Sequence, residues 1–434
     1  MLKNIAADII ARGGRAFYVG GYVRNQLMGM TSDEDEDIDI EVYGLSMEEL
    51  QILLSVYGTT RQVGKSFPVL KVSGHNEWDF TIPEEPGLTF AAACARRDFT
   101  INSMMMDILS GEIIDIYGGR QDIAGELIRH TSPDVFTADP LRVYRAMYFA
   151  ARLDFKIHPS TLELISGTDL SPVIKERIYR VLRKLLLFSP RPSIGLRYMQ
   201  TTGVLKRMHP LLFSLIDCQQ SSRNHPEGDV WEHTLLVVDQ AARLRTSSSN
   251  PEALMFAALL HDVGKPRTTR ISGDKVTAYG HDVLGEKLAR AFLLELTQNK
   301  NLINSAALLI KEHMHPILLY KDRENVSDRA IRKLVSRVNL KELLLMAEAD
   351  FMGRHNTRDF EMVNNWFVER LSRLGLTLND RIDPLVKGRD LLQMGIQPGP
   401  AYTQALQLAF ELQMEGRSKE AILQLVLQQT APQT

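Results

Sequence analysis

The hydrophobic periodicity of the chain changes near residue 120, and this change restricts the fold more than any other feature. Before it, alternating and short apolar runs are typical of strands, mixed with helical spacing at Ile5–Ile10 and Val23–Met28. After it, apolar residues recur at helical spacing almost throughout, for example in the predicted helical stretches Asp229–Leu244 and Tyr402–Leu427. We therefore predict an α+β fold, with a small mixed sheet in an N-terminal head and an all-helical body. The predicted strands are Ala16–Val19, Asp37–Tyr43, Val69–Ser73, Glu77–Ile82 and Ile113–Ile116.

The length of 434 residues is too great for one ordinary compact domain. Polar residues and Pro226 interrupt the helical pattern at Ile216–Gly228, which indicates an internal boundary. Two cysteines, the absence of a membrane-length apolar run and the absence of an N-terminal signal pattern favour a cytoplasmic protein without membrane contact. The oligomeric state stays open.

The formal net charge of −2 argues against a uniformly basic nucleic-acid coat protein. The charges are nevertheless segregated, because residues 31–50 contain nine acidic and no basic residues, whereas residues 171–210 contain nine Lys or Arg and one acid. We expect the basic segment to contact phosphates of a nucleic acid through salt-sensitive interactions.

A glycine pair followed by an acidic strand is the most informative motif. Gly20 and Gly21 end a predicted strand, and glycines there allow backbone N–H groups to approach a phosphate. Asp37 and Asp39 are two residues apart, so a strand would direct both carboxylates to one face. Such a pair suits Mg²⁺, which binds carboxylates together with substrate phosphates. The acidic run before Asp37 is typical of a solvated loop.

These residues resemble the class II tRNA nucleotidyltransferases, the CCA-adding enzymes, whose head is shared with bacterial poly(A) polymerases. The chain matches the family pattern GG-x-VRD-x-LLG followed by D-x-D at Gly20, Gly21, Val23, Arg24, Leu27, Gly29, Asp37 and Asp39, but Asn25 replaces Asp and the spacer is longer. The resemblance implies template-independent addition to the tRNA 3′ end, either of CMP alone or of the full CCA sequence, from CTP and ATP. It also implies catalysis by Mg²⁺ on Asp37 and Asp39, with Arg24 stabilising the leaving pyrophosphate.

Two further motifs extend the resemblance. In the segment RRDFTIN, the resemblance implies that Arg96 and Arg97 bind the triphosphate and that Asp98 binds the ribose hydroxyls. It also implies that Asn102 contacts the nucleotide. In the segment ADPLRVYR, the resemblance implies base selection by Asp139 and Arg142, and a further nucleotide contact by Arg145. We expect Asp139 and Arg142 to share a helix face. Ala138 replaces the family's Glu; we expect base selection to survive because Asp139 and Arg142 remain, while its fidelity stays open.

The connection before RRDFTIN is short. The family's flexible, Arg- and Gly-rich segment is reduced here to Ile82–Ala95, without a basic or glycine-rich element. This resembles the CC-adding branch, and the hypothesis is that the terminal A is added poorly or not at all.

Histidines and aspartates in the second half resemble the HD metal-dependent phosphohydrolases. The predicted metal ligands are His233, His261, Asp262 and Asp350, suited to Ni, Mn or Co; His281, His313 and Lys265 would hold a second ion or a phosphate. We expect His261 and Asp262 to end a helix with Gly264 as its C-cap. Some CCA enzymes with this domain show phosphatase and 2′,3′-cyclic phosphodiesterase activity. The predicted domains are a head at 1–135, a neck at 136–216, an HD domain at 225–355 and a helical tail at 356–434.

Three other functions are compatible with parts of the sequence. The first is an HD phosphohydrolase with a degenerate head, which Asn25 and Ala138 favour slightly. The second is a poly(A) polymerase, although that type normally lacks an HD domain and has a basic C-terminal region. The third is a regulatory RNA-binding protein without catalysis.

Overall fold

The computed structural model describes residues 1–30, 38–64, 68–83, 88–221, 225–354 and 360–430. It forms two compact units, Met1–Met208 and His209–Thr434. The α+β prediction is confirmed, because the first unit contains a mixed sheet and the second is mainly helical. The finer division into four domains stays a prediction. Among the described residues, no helix is long and apolar enough to cross a membrane.

A seven-stranded sheet forms the centre of the first unit. Its strand order is β3-β4-β5-β2-β1-β6-β7, and only the β2–β5 pair is parallel. A separate pair of two-residue strands, β8 and β9, is also parallel. The strands are β1 (Arg15–Val19), β2 (Ile38–Tyr43), β3 (Thr60–Val63), β4 (Val69–Val72), β5 (His75–Thr81), β6 (Met105–Asp107), β7 (Ile113–Ile114), β8 (Leu127–Ile128) and β9 (Lys156–Ile157).

Eleven α-helices lie among the described residues of the first unit, and Thr100–Asn102 adds a 3₁₀ turn. The helices are α1 (Leu2–Ala11), α2 (Gly21–Leu27), α3 (Met47–Ser55), α4 (Phe90–Ala95), α5 (Gly119–Ala124), α6 (Val135–Ala138), α7 (Arg142–Leu153), α8 (Pro159–Gly167), α9 (Lys175–Phe188), α10 (Pro192–Thr201) and α11 (Val204–Met208).

The alternation of β2 separates a core face from a polar face. Ile40 and Val42 are fully buried in the cluster that α1 and α3 cover. The side chains between them point to the opposite face, as the two-residue period of a strand requires. There Tyr43 packs edge-on against Phe90 of α4, with ring centroids 4.9 Å apart. The acidic residues Asp39 and Glu41 therefore lie on the face of β2 that is not covered by α1 and α3.

The second unit is helical except for a hairpin, β10 (Arg270–Ser272) and β11 (Lys275–Thr277). Side-chain caps begin several helices, for example at Asp229, Asn250 and Asn299. The helices are α12 (Pro210–Phe213), α13 (Val230–Leu244), α14 (Pro251–Leu260), α15 (Lys265–Thr268), α16 (His281–Leu296), α17 (Lys300–Glu312), α18 (His315–Lys321), α19 (Asp328–Arg337), α20 (Leu340–Met352), α21 (Glu361–Arg373), α22 (Gly388–Gln393), α23 (Pro400–Met414) and α24 (Lys419–Thr430), with a 3₁₀ turn at Arg245–Ser247.

The longest apolar run of the sequence becomes the central helix of this unit. All eight residues of Ala253–Leu260 in α14 are buried, and α13, α17 and α20 pack around the helix. A helix that is apolar on every side is stable only when it is surrounded in this way. The two residues that follow its C-terminal end, His261 and Asp262, are consequently buried in the interior of the unit.

Several expectations about local structure were incomplete. The strands β3 and β6 were not predicted, and the hairpin β10–β11 interrupts the body that was expected to be helical. The predicted helical stretch Tyr402–Leu427 consists of two helices, α23 and α24, separated by a turn at Gly416, whose φ is +88°. Glycine adopts this left-handed conformation without a steric penalty, which ends the helix.

Candidate functional site

A cleft of about 740 Å³ in the first unit, here called the head cleft, collects side chains from five segments of the chain. They come from the β1–α2 junction, β2, the residues after α4, the start of α7 with the residues before it, and α9. The predicted residues that line the cleft are Gly20, Gly21, Arg24, Asp39, Arg96, Arg97, Asp98, Asn102, Asp139, Arg142 and Arg145. Asp37 lies outside the described residues.

Gly20, the N-cap residue of α2, lies close to both a carboxylate and a guanidinium. Its φ is +68°, and a Cβ there would lie 3.4 Å from both Asp39 Oδ2 and Arg97 Nη1. Arg97 is held from the other side by Glu41, whose Oε1 lies 3.2 Å from Nη2. The Glu41 Oε2 atom accepts a hydrogen bond from Tyr43 at 2.9 Å. Glu41 therefore holds the Arg97 side chain against β2, the acidic strand. This role of Glu41 was not predicted.

A chain of hydrogen bonds connects the predicted triphosphate and ribose residues. Arg24 donates from Nη1 to Asn102 Oδ1 at 2.7 Å, and Asn102 Nδ2 donates to Asp98 Oδ1 at 3.1 Å. The Asp98 Oδ2 atom accepts from Arg145 at 2.6 Å. Burial alone would raise the pKa of Asp98, but Arg145 and the hydrogen bond from Asn102 hold this pKa below its usual value. Asp98 therefore remains ionised inside the cleft.

Asn25, which replaces the family's Asp, takes part in the same network. Its Oδ1 accepts from Arg24 Nη2 at 2.7 Å and from Nε at 3.0 Å. The guanidinium of Arg24 also lies over the ring of Phe149, 5.1 Å from its centroid. Asn25 therefore holds the Arg24 guanidinium with a neutral amide oxygen as acceptor.

The expectation that Asp139 and Arg142 share a helix face was wrong. Helix α7 begins at Arg142, and Asp139 precedes it in an extended conformation with φ −149° and ψ 97°. Pro140 explains this, because a residue before proline is disfavoured in the helical region. Asp139 Oδ2 instead accepts from Arg177 of α9 at 2.8 Å. Arg142 donates to the backbone carbonyls of Val135 at 3.2 Å and Arg96 at 2.6 Å.

The lining of the head cleft is strongly basic. Eight Arg or Lys side chains and three Asp side chains line it among the described residues. Such an excess of positive charge suits a polyphosphate or a nucleic-acid backbone. The residues that were not predicted as nucleotide contacts are Leu141, Tyr148, Phe149, Arg177, Arg180, Val181 and Lys184, of which Arg177, Arg180 and Lys184 follow the helical period of α9.

A second group of ionisable side chains, here called the histidine–aspartate centre, lies inside the second unit. It comprises His233, His261, Asp262, His281, His313 and Asp350, and each of them is at least 91% buried. Neighbouring imidazole rings are 5.3–5.4 Å apart along the series His233, His261, His313 and His281. The structure brings together every residue that was predicted for this site, with Lys265 beside it.

The hydrogen bonds of three histidines leave the same ring nitrogen free to bind a metal. In His261, His281 and His313, Nδ1 lies 2.6–2.9 Å from the backbone carbonyl three residues earlier. Because a carbonyl only accepts, Nδ1 carries the proton and Nε2 keeps its lone pair. Burial also lowers the pKa of His313 to about 4, which keeps that ring neutral.

The arrangement of buried polar atoms fits a metal centre. Among the described residues, Nε2 of His261, Nε2 of His281 and the carboxylate of Asp262 are buried without a well-directed hydrogen bond; their close neighbours are one another and Lys265, whose Nζ lies 2.7 Å from Asp262 Oδ2. Two sets of potential ligand atoms each lie within 4.8 Å, namely His233–His261–Asp262 and Asp262–His281–His313. Imidazole and carboxylate donors in this number suit transition metals or Mn²⁺. Asp262 belongs to both sets and would therefore be a ligand of an ion held by either set.

Glu227 supports the centre and was not predicted. Its Oε1 lies 2.8 Å from His233 Nδ1 and 2.9 Å from His225 Nδ1. The opposite nitrogen of His233, Nε2, lies 3.0 Å from Asp350 Oδ1. A carboxylate that binds the outer nitrogen of a ligating histidine sets the tautomer and the orientation of the ring. The hydrogen bonds from His225 and His233 outweigh burial and lower the pKa of Glu227 to about 2.

Two cations flank the aspartates of the centre. Lys265 Nζ lies 2.7 Å from Asp262 Oδ2, and Arg354 Nη2 lies 2.5 Å from Asp350 Oδ2. Burial opposes ionisation of both aspartates, but His261 and Lys265 beside Asp262, and Arg354 beside Asp350, hold the two pKa values well below the usual range. Arg354 was not predicted, although it follows Asp350 by one helical turn.

The expected role of Gly264 was wrong. Helix α14 ends at Leu260, and Gly264 has φ −77°, which is not the left-handed conformation of a glycine C-cap. Instead, a Cβ at Gly264 would lie 2.0 Å from the backbone oxygen of His281. Glycine is required here because the segment carrying Asp262 packs directly against the backbone of another predicted ligand.

Family models match both sites. A model described as "Poly A polymerase head domain" matches residues 76–129, and a model described as "HD domain" matches residues 230–351. The fold and the two sites therefore define a protein that combines a nucleotidyltransferase head with an HD domain. The resemblance stated from the sequence is thereby confirmed in both halves.

Curated relatives identify the family. The chain is 34% identical to the multifunctional CCA protein of Actinobacillus pleuropneumoniae serotype 5b (strain L20) over 368 residues, covering 78% of this chain and 85% of that protein. It is 31% identical to the multifunctional CCA protein of Xanthomonas campestris pv. campestris (strain B100) over 422 residues, covering 90% and 96%. The chain belongs to the family of multifunctional CCA proteins.

Solved structures share the fold. The CCA-adding enzyme of Bacillus stearothermophilus in complex with CTP has a TM-score of 0.67 at 20% identity, covering 98% of this chain and 96% of that chain. The Thermotoga maritima CCA-adding enzyme complexed with tRNA(CCA) has a TM-score of 0.58 at 21% identity, covering 96% and 92%. The fold of the described residues is therefore that of CCA-adding enzymes.

Proposed function

We propose that the head cleft adds CMP from CTP to the 3′ end of tRNA without a nucleic-acid template. The observation that carries this proposal is the convergence of Asp39, Asp98 and seven arginines from separate segments on one cleft. The terminal ribose hydroxyl attacks the α-phosphorus of CTP, and the bond to the pyrophosphate oxygen breaks. Arg24 and Arg97 lie on either side of the glycine pair and stabilise the departing charge.

Divalent ions are part of the proposed reaction. Asp39 lies in the cleft on the polar face of β2, and Mg²⁺ bound by Asp39 and Asp37 would lower the pKa of the attacking hydroxyl and hold the triphosphate. Asp98, held ionised by its neighbours, supplies an acceptor for a ribose hydroxyl. Asp139 and Arg142 face the base, with Arg177 orienting the Asp139 carboxylate in place of the family's Glu.

We further propose that the enzyme adds C residues readily and the terminal A poorly. Six of the fourteen residues in the connection Ile82–Ala95 form α4, whose N-cap Thr89 accepts from Ala92 N at 3.3 Å. Cys94 anchors this helix by complete burial. The short connection therefore leaves little chain for the flexible segment that full CCA-adding members use. Full addition of CCA is the alternative.

A tRNA extension assay tests both statements. A tRNA lacking its 3′ CCA end is incubated with each nucleoside triphosphate alone, and then with CTP and ATP together. The proposal predicts two CMP additions from CTP and slow or absent AMP addition. Extension with ATP alone into a tail would indicate a poly(A) polymerase, and no extension with any nucleotide would overturn the head function. Efficient formation of the complete CCA end would remove only the CC-adding proposal.

The histidine–aspartate centre supports a second function. We propose that it is a metal-dependent phosphohydrolase that removes 2′,3′-cyclic or terminal phosphates from RNA ends. The supporting observation is the cluster of buried imidazole Nε2 and carboxylate atoms, with Lys265 beside Asp262 and Arg354 beside Asp350. Bound ions would supply an activated water, and the two cations would contact the phosphate.

The test is hydrolysis of a nucleoside 2′,3′-cyclic phosphate with Mn²⁺, Ni²⁺ or Co²⁺, compared with His261→Ala. The proposal predicts metal-dependent hydrolysis that the substitution abolishes. The matched control is nucleotide addition by the same variant, which should equal that of the wild type because Asp39 and its neighbours belong to the other unit. Absence of hydrolysis by the wild type with all three ions would refute this second function.

A further inference from the structure

A cleft of about 330 Å³ opens beside the histidine–aspartate centre. This volume is at the lower end of the range of small-molecule sites and suits a ligand of about one nucleotide. Asp262, His281, His313 and Asp350 form its metal-facing part, and Lys265, Lys321 and Arg354 add positive charge. The cleft therefore has a phosphate-binding end whose position is fixed by the centre.

The hairpin β10–β11 and the residues after it form another wall of this cleft. Val276, Thr277, Ala278 and Tyr279 all line it. The Ala278 carbonyl accepts the hydrogen bond from His281 Nδ1 at 2.7 Å, so this wall is tied directly to the centre. Two residues of chain span at most about 7 Å, and Tyr279 therefore lies close to His281.

Tyr279 is unusually exposed for an aromatic residue in a cleft. Its exposed fraction is 82%, the highest among the large hydrophobic side chains of the described residues. Tyr22 and Tyr43, by contrast, pack against other rings. Met314 contributes a further apolar side chain to the lining of the same cleft. The cleft thus presents an open aromatic surface next to its phosphate-binding end.

We propose that Tyr279 is a base-stacking subsite that makes the histidine–aspartate centre specific for phosphates attached to a nucleoside. This inference rests on the hydrolase function proposed above and names its specificity residue. In a nucleoside 2′,3′-cyclic phosphate, one ribose ring joins the phosphate to the base, which matches the short distance between His281 and Tyr279. Stacking on an aromatic ring accepts every base, so the subsite would select nucleosides without selecting their sequence.

The experiment compares two substrates of equal phosphate chemistry. Cytidine 2′,3′-cyclic phosphate carries a base, and glycerol 1,2-cyclic phosphate has the same five-membered ring without one. Both are assayed with Mn²⁺ on the full-length wild type, Tyr279→Ala and Tyr279→Phe. The matched control is Ile271→Ala, because Ile271 is 60% exposed on the same hairpin and is not part of the cleft lining. A short RNA with a 2′,3′-cyclic phosphate distinguishes an RNA end from a free nucleotide.

We expect Tyr279→Ala to lower kcat/KM for the cytidine substrate about 5- to 150-fold, mainly through KM. The preference for cytidine over glycerol substrate should then disappear, Tyr279→Phe should restore it, and Ile271→Ala should retain it. A preference that persists in Tyr279→Ala, or that Phe does not restore, overturns the proposal.

Binding measurements keep the inference separate from the hydrolase function. If the wild type hydrolyses neither substrate with Mn²⁺, Ni²⁺ or Co²⁺, the hydrolase function fails, and calorimetry with cytidine 2′-phosphate then decides about the subsite. Weaker binding to Tyr279→Ala than to the wild type supports the subsite, whereas equal binding overturns it. Nucleotide bound at the head cleft contributes equally to both proteins, so their difference reports the second unit alone.

Discussion

The head cleft and the histidine–aspartate centre both suit divalent ions and phosphates, but they are built in opposite ways. In the head, Asp39 is exposed on a strand face and lies in a cleft that is lined by arginines. In the second unit, buried imidazoles are oriented by their own backbone before any ligand arrives. The head cleft should therefore respond most strongly to loss of charge, and the centre to loss of geometry.

The largest effect should come from Asp39→Asn. The amide is too weak a ligand to hold an ion in the presence of competing water, and metal activation is worth several kcal/mol. We expect CMP incorporation into tRNA to fall by about 10³-fold or more, with an unchanged melting temperature because Asp39 is exposed. Incorporation within tenfold of the wild type would contradict the assignment of Asp39.

The next largest effect is expected from Gly264→Ala, which tests the geometric half of the comparison. The new Cβ would meet the His281 backbone oxygen at 2.0 Å, so the α14–α15 segment has to move. We expect a loss of about 3 kcal/mol in the unfolding free energy of the second unit, measured by thermal unfolding, and weaker metal binding.

The matched control for this change is Gly167→Ala in the first unit, where a Cβ meets nothing within 4 Å. It should alter stability by less than about 0.5 kcal/mol. If Gly264→Ala changed stability as little as this control, the fold would not require close packing between the α14–α15 segment and the His281 backbone.

A smaller effect is expected from Glu227→Gln. The amide can donate to His233 Nδ1, which would shift the ring proton to Nε2 and remove a ligand lone pair. We predict a 10- to 100-fold loss of Mn²⁺ affinity, measured by calorimetry, and unchanged CMP incorporation. Glu295→Gln, exposed on α16, serves as the control. Equal affinities of the two variants would show that Glu227 does not position His233.

The smallest effect is expected from Arg177→Ala in the head. Losing the 2.8 Å contact frees the Asp139 carboxylate to rotate, and hydrogen bonds to charged groups contribute about 1.5–3 kcal/mol. Water replaces the lost donor and restores part of this hydrogen-bond free energy. We therefore expect about a tenfold loss in the preference for CTP over UTP in the extension assay. Arg177→Lys keeps a charged donor and should stay within about threefold. An unaltered base preference in Arg177→Ala would remove Arg177 from base selection.

Sequence periodicity predicted the elements in which one face is apolar. The strand at β2 and the helix at α13 were recognised because their buried positions recur with periods of two and 3.6 residues. The strand β3, with sequence TRQV, was missed because it has no buried position. The strand β6 is only three residues long, too short for a period to emerge.

The site residues that were missed act through contacts that are distant in sequence. Glu41 meets Arg97 across 56 positions, and Arg177 meets Asp139 across 38. Residue type and spacing identify donors and acceptors, but they do not identify which pairs the fold brings together. The extended conformation of Asp139 was, in contrast, available from the sequence, because Pro140 follows it.

Asn102 imposes a chemical restriction on how the head cleft can change. Its carbonyl oxygen faces the guanidinium of Arg24, and its amino group faces the carboxylate of Asp98, so it accepts on one side and donates on the other. A carboxylate at this position could only accept, and an ammonium or guanidinium could only donate. Among side chains of this length, an amide alone satisfies both neighbours, and replacing it would require a matching change in Arg24 or Asp98. Asn102 therefore couples Arg24, which we propose to bind the phosphates, to Asp98, which we propose to bind the ribose.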